Sequence, residues 1–203
     1  MPAYRAPLRD MKFVFEEVLN AYAVLQELPD QTEFTEDLGG AILEEAARLA
    51  ENVLAPLNGP GDKQGCHYDP QSKLVKTPSG FAAAYQQFAE GGWTALACTP
   101  EFGGQGLPHV LNMMVEEMVC SSNLSLGMYP GLTHGAINAL TEHGERSLQD
   151  RFLPKLISGQ WTGTMCLTEP QCGTDLSLIR TRAVPQADGS YALTGTKIWI
   201  TGG

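Results

Sequence analysis

The sequence predicts an α+β chain: an all-α helical bundle over residues 1–160, then the first strands of a β-barrel-like domain over 161–203. Three observations carry that reading. Up to about residue 158 the apolar residues recur at helical spacing. After Gly159 the chain turns to short, Thr-rich, β-branched and aromatic runs of nearly alternating polarity. Between the last two of those runs sits Asp188-Gly189, a dipeptide suited to a tight hairpin.

The helices are expected in order. LRDMKFVFEEVLNAYAVLQEL opens the bundle. DLGGAILEEAARLAENVLAPLN follows, with Ile42, Ala46, Leu49, Val53 and Leu57 on one face and Glu and Arg opposite. Pro56 and the Asn-Gly-Pro-Gly cluster are expected to end it. SGFAAAYQQFAEGGW starts after Pro78-Ser79 and stops at Gly91-Gly92. HVLNMMVEEMVCSSN, GLTHGAINALTEHG and SLQDRFLPKLISG give three more helices, each bounded by Gly, Ser or Pro. The strands are WTGTMCLTE, LIRTRAVPQ and SYALTGTKIWIT. Three or so strands cannot close a sheet, and TKIWITGG ends on an apolar run without a cap. The expectation is therefore a piece of a longer protein.

Composition narrows the function. The chain has 203 residues, 43% of them hydrophobic and 18% charged, as expected of a globular domain rather than a disordered one. Its formal net charge is −10, which disfavours nucleic acid or an anionic membrane as the main partner. No apolar run approaches the roughly 20 residues of a membrane span. The N-terminal segment mixes Arg, Lys and Asp, unlike a secretory signal, so the expected location is cytoplasmic. The five cysteines are scattered and form no C-x-x-C pair, so they read as reduced thiols, mostly small buried hydrophobes. His67, His109, His134 and His143 share no metal-ligand spacing, and no metal site is expected. His134 and His143 read as surface or partner contacts, and Glu116-Glu117 as a solvated edge. EFGGQGLP lacks the Gly-Lys-Ser/Thr ending of a phosphate loop, and a glycine-rich connection between helices is the favoured reading. No nucleophile elbow supports a hydrolase. Met113, Met114, Met118 and Met128 either line a pocket or fill the core, the latter being favoured.

The informative stretches are LTEPQCGTD (167–175) and KIWIT (197–201), both at strand ends. Together they bring hydroxyls, an indole and a Gly that lets backbone amides approach a ligand closely. A flavin ring suits such surroundings, with polar edge atoms to be hydrogen-bonded and a flat face to be covered. On the residues alone a flavin is one option beside a plain turn.

These stretches resemble the acyl-CoA dehydrogenase family. The likeness runs through EFGGQGL, FLPKLISGQWTGTMCLTEPQCGTD and the DGSYALTGTKIWIT hairpin, and LTEPxxGTD paired with GxKxWIT is specific to it. MPAYRAPLRDMKFVFEEVL and MYPGLTHGA further resemble the long bacterial members, among them 3-methylmercaptopropionyl-CoA dehydrogenases. The resemblance implies FAD held between a middle β domain and a C-terminal helical domain. It implies α,β-dehydrogenation of an acyl-CoA thioester in fatty acid metabolism, with electrons passed to an electron-transfer flavoprotein. By the same resemblance Met165, Leu167, Thr168, Gly173, Thr174, Trp199, Ile200 and Thr201 bind the cofactor. Thr168 then faces the pyrimidine side of the ring, Trp199 covers it, and Thr201 lies near N5, the hydride acceptor. Thr174 stands where the family usually has Ser, facing both the FAD diphosphate and the acyl-CoA substrate. Where many relatives read Gly-Ala-Gly-Ser-Asp, this chain has Gln171-Cys172-Gly173-Thr174-Asp175. The family's glutamate base belongs to the C-terminal domain, so no catalytic residue is assigned here, and Glu169 is expected to fix the turn before Pro170. The 203 residues alone are expected to be inactive and to bind FAD weakly or not at all. A homo-oligomer is implied at full length. An acyl-CoA oxidase using O₂ and a non-catalytic helical interaction module stay open as alternatives.

Overall fold

The computed structural model describes residues 3–201. Seven α-helices and two small hairpins make up the regular structure among them: α1 (Leu8–Phe13), α2 (Ala21–Gln26), α3 (Glu36–Leu49), α4 (Ala55–Gln64), β1 (His67–Asp69), β2 (Leu74–Lys76), α5 (Phe81–Glu90), α6 (His109–His143), α7 (Arg146–Ile157), β3 (Arg182–Pro185) and β4 (Tyr191–Thr194). Among the described residues no helix is long and apolar enough to cross a membrane.

Local chemistry explains some of the helix bounds. Thr35 caps α3, its Oγ1 accepting from the Leu38 N–H at 3.3 Å, with Glu36 and Asp37 in the first turn facing the positive helix end. The first expected helix comes as two pieces, because a wide π-type turn at Val14–Val18 runs into Asn20, whose φ is +48°. A second wide turn at Ala50–Leu54 links α3 to α4. Here the expected stop at Pro56 is overturned. The Ala55 N–H reaches the Ala50 carbonyl across that turn, so Pro56 falls in the first turn of a new helix, where its missing N–H is tolerated. The helix then runs on to Gln64 and ends at Gly65.

The buried face also lies about one residue from the expected one. Leu43, Ala46, Ala47, Ala50 and Leu54 are buried, while the expected Ile42, Leu49, Val53 and Leu57 are only partly so. Against this face packs α6 through Leu111, Val115, Met118 and Val119, joined by Phe88 of α5 and by Phe15 and Phe34. A second cluster sets Ile137 of α6 against Leu153, Leu156 and Ile157 of α7 and Phe102. The methionines divide: Met118 is fully buried and Met114 partly so, whereas Met113 and Met128 are exposed.

The sequence separates two helices near Asn123, and the structure joins them into α6 with a break at that residue. Asn123 has φ −157° and ψ 86°. Its side chain makes the break tolerable, since Oδ1 accepts from the Leu126 N–H and Nδ2 donates to the Leu54 carbonyl, both at 3.1 Å. EFGGQGLP connects α5 to α6, folded back so that the Gln105 and Leu107 N–H groups reach the Ala95 and Leu96 carbonyls. The β1–β2 hairpin was not expected. It is three residues a side and exposed, too short to show a period.

Beyond Gly159 the expected strands form only in part. β3 and β4 pair antiparallel with Arg182 opposite Thr194 and Pro185 opposite Tyr191, as the Asp188-Gly189 turn requires, with Gly189 at φ +82°. WTGTMCLTE and KIWIT form no strand of their own, and every residue of β3 and β4 is exposed. The cysteines also depart from expectation. Cys98 and Cys172 are buried, while Cys66, Cys120 and Cys166 are exposed.

Candidate functional site

The helical layer anchors the chain as it enters the 165–175 stretch. Thr94 Oγ1 donates to the Ile157 carbonyl at 2.6 Å, and Tyr85 Oη donates to the Gly159 carbonyl at 3.0 Å. The Trp161 N–H reaches the Lys155 carbonyl, and Lys155 Nζ lies 4.2 Å from the Trp161 ring centroid, a cation–π distance. The Gly163 N–H then donates to Thr133 Oγ1 at 3.1 Å. A Cβ on Gly163 would come within 2.5 Å of the Ala136 Cβ, so only glycine lets this backbone lie so close to α6.

The next residues make a tight turn. Glu169 and Cys172 exchange both backbone hydrogen bonds across Pro170-Gln171, at 2.9 and 3.1 Å. Asp175 then caps a short 3-10 turn at Leu176–Leu178, its Oδ1 accepting from the Ser177 N–H and hydroxyl. Glu169 does more than fix its own turn. Its carboxylate is 3% exposed yet accepts five hydrogen bonds: from Gln171 Nε2, the Arg180 N–H, the Thr181 N–H, Thr181 Oγ1 and Lys197 Nζ. The Thr181 hydroxyl first, then the Arg180 amide and the Lys197 ammonium, hold the carboxyl far below the usual carboxylate range, outweighing its desolvation.

KIWIT lies alongside this turn. The Ile198 N–H donates to the Thr168 carbonyl at 2.9 Å, and Lys197 Nζ donates to the Leu167 carbonyl at 2.9 Å. Gly195 makes the approach possible, because a Cβ there would fall 2.2 Å from Thr181 Oγ1. Of the residues expected at the site, Thr168 thus sits beside 197–198, and Gly173 is near the Thr168 methyl, at 3.8 Å from its own would-be Cβ. Ile200 and Thr201 are half-buried, and Thr174 is exposed. Trp199 has φ +58°, a strained backbone for an aromatic residue, and its side chain is 84% exposed. Met165 and Leu167 also show apolar surface, at 51% and 38% exposure.

Sequence reasoning missed the residues that hold this arrangement: Gln171, Thr181 and Lys197. Gln171 is one of the departures from the family loop, and here it bonds both Glu169 and the Leu178 carbonyl. Lys197 was visible inside KIWIT, an isolated cation in an apolar run. That was the available signal.

Of the expected solvated edge on α6, Glu117 is exposed, while Glu116 is half-buried and has partners. Glu116 takes a hydrogen bond from Asn112 Nδ2 at 2.9 Å and lies 3.9 Å from His134 Nε2. His134 is partly buried rather than a surface contact, and burial pushes its pKa down against the pull of Glu116. The break at Asn123 is what brings positions so far apart on one helix together. Among the described residues no His, Cys, Asp and Glu group assembles a metal site.

Residues 40–160 match the acyl-CoA dehydrogenase N-terminal domain. The chain belongs to the acyl-CoA dehydrogenase family. Across 98% of its length it is 44% identical to 3-methylmercaptopropionyl-CoA dehydrogenase of Ruegeria pomeroyi, and it spans about a third of that relative (34%). The fold matches butyryl-CoA dehydrogenase from Megasphaera elsdenii with a TM-score of 0.68 at 25% identity, over 83% of this chain and 42% of that one. It also matches a chain in the structure of the electron transferring flavoprotein of Acidaminococcus fermentans, with a TM-score of 0.66 at 26% identity, over 84% of this chain and 41% of that one. The acyl-CoA dehydrogenase domain match ends within the α7–Trp161 junction, where the helical layer hands over to the Glu169 turn.

Proposed function

We propose that this chain supplies the helical domain, residues 1–160, and the flavin-facing edge, residues 161–203, of an FAD-dependent acyl-CoA dehydrogenase. The single observation that carries the reading is the hydrogen bond from the Ile198 N–H to the Thr168 carbonyl. It sets the two stretches expected to meet a flavin side by side, with the Trp199 indole turned out of the protein interior.

The donor set fits the group. Trp199, Met165 and Leu167 offer exposed apolar surface for a flat ring, and Thr168, Thr174 and Thr201 offer hydroxyls for its polar edges and diphosphate. Ile200 adds apolar surface beside Thr201, and Gly173 leaves the loop backbone uncovered for amide contacts. When bound, FAD supplies the two-electron acceptor for the β-hydrogen of an acyl-CoA thioester. The chain's part is orientation: the α-hydrogen, the β-hydrogen and the acceptor must be aligned, and the Thr168–Ile198 junction forms one wall of that alignment. Thr174 meets the substrate as well as the cofactor. Electrons pass onward to an electron-transfer flavoprotein, and the full-length protein is a cytoplasmic homo-oligomer.

The test is to purify the full-length protein, titrate it with FAD, and follow flavin absorbance on adding butyryl-CoA and 3-methylmercaptopropionyl-CoA. One flavin per chain and bleaching by at least one thioester are expected. A protein that takes up no flavin would sink the reading.

A further inference from the structure

Only one backbone hydrogen bond among the described residues, Ile198 N–H to Thr168 O, joins the 165–169 stretch to KIWIT. A strand pair held by a single ladder bond does not fix its own register, and a slip of one residue would turn every side chain to the opposite face. Something else must hold Thr168 opposite Ile198. The side chains flanking that bond do so. Lys197 Nζ spans to the Leu167 carbonyl and to Glu169 Oε1, both at 2.9 Å, so a single ammonium grips the residues on either side of Thr168. The carboxylate it meets is in turn held by Thr181 Oγ1 at 2.6 Å and by the Arg180 and Thr181 N–H groups at 2.9 and 3.0 Å, which brings in the segment leading to β3.

We infer that Lys197 and Glu169 are positioning residues: their buried ion pair sets the register between the two stretches that face the flavin, and so the placement of Thr168 against Trp199 and Thr201. The inference rests on the flavin reading above. The pair itself is sheltered, with the Glu169 side chain 2% and the Lys197 side chain 19% exposed. Neither charged group is free to serve solvent or substrate, so the two act through the backbone they hold. A buried pair of this kind is costly to break on one side, because the remaining charge is left without compensation.

Four forms of the full-length protein test it: wild type, Lys197→Met, Lys197→Arg and Thr181→Val. Two readouts are independent of each other, hydrogen–deuterium exchange of peptides covering 195–201 without flavin, and FAD affinity by titration. Lys197→Met is expected to speed exchange across 195–201 and to weaken FAD binding roughly tenfold or more, while Lys197→Arg recovers most of both. Thr181→Val removes one hydroxyl from Glu169 and leaves the ion pair, so a weakening of about threefold is expected. Should Lys197→Met fail to fold, Thr181→Val and Lys197→Arg still decide. Wild-type FAD affinity in Lys197→Met overturns the inference, as does faster exchange there with no change in affinity. If the wild type takes up no FAD yet Lys197→Met still loosens 195–201, the flavin reading is what has failed.

Discussion

The helical layer and the segment after Gly159 are held together by different forces. In the first, large apolar side chains such as Leu43, Leu54, Leu111, Met118 and Leu153 are removed almost completely from water. Each such burial contributes about 1.5–3 kcal/mol, without directional demands. In the second, all of β3 and β4 is exposed, and between residues 161 and 201 the buried residues are Glu169 and Cys172. Order there depends on a carboxylate that gathers donors from three separate stretches of chain. Apolar burial tolerates repacking. A polar hub does not, since each donor removed leaves a buried acceptor unsatisfied. The helical layer is accordingly a scaffold, and the segment after it is a precise but more easily unlatched edge.

Mutations can separate the two regimes, and the largest effect is expected in the scaffold. Leu111→Ala, at a fully buried position of α6, should lower unfolding free energy by about 2–5 kcal/mol in urea melts followed by helical circular dichroism. A loss below 1 kcal/mol would mean that α6 is not the centre of the core. Asn123→Ala comes next. It removes the bond to the Leu54 carbonyl and the one from the Leu126 N–H, at a cost of about 1–3 kcal/mol by the same melt.

Acid should act on the other region first. The Glu169 carboxyl in the folded chain lies far below its ordinary value of 4.5. A depressed carboxylate stabilises the fold fully above its unfolded value, and the benefit is lost as pH falls from there through the folded one. Glu169→Gln should therefore loosen peptides covering 167–201 at neutral pH, with the difference from wild type shrinking as the buffer is taken below 4.5. Exchange mass spectrometry reads this directly, and a difference that grew on acidification would contradict the hub. The smallest effect belongs to Leu193→Gln on β4, 75% exposed, where this chain's stability should change by less than about 0.5 kcal/mol. A larger loss would show that the hairpin face packs against the scaffold.

Much of the scaffold was legible beforehand because periodicity, Gly and Pro punctuation are local signals. The end of the helix at Pro56 was misread for a physical reason. A wide turn leaves no mark in propensity, yet it puts Pro56 at the start of a new helix instead of at the end of the old one. The Asp188-Gly189 hairpin was legible because its turn chemistry lies in two adjacent residues. Thr168 and the 197–201 stretch could be nominated from motif alone, but their partners could not. Gln171, Thr181 and Lys197 are ordinary polar residues until the chain folds back and points each at one carboxylate.

Sequence by itself determined the family and most of the helices, and it nominated the two stretches proposed to face the flavin, because all three are written in local spacing and residue type. Tertiary structure alone decided which carboxylate would be buried, that Lys197 would reach it, and that Asn123 would let a broken α6 bring Glu116 and His134 together. Those outcomes depend on contacts between residues far apart in the chain, and the cost of burying a charge is fixed only once its donors have arrived.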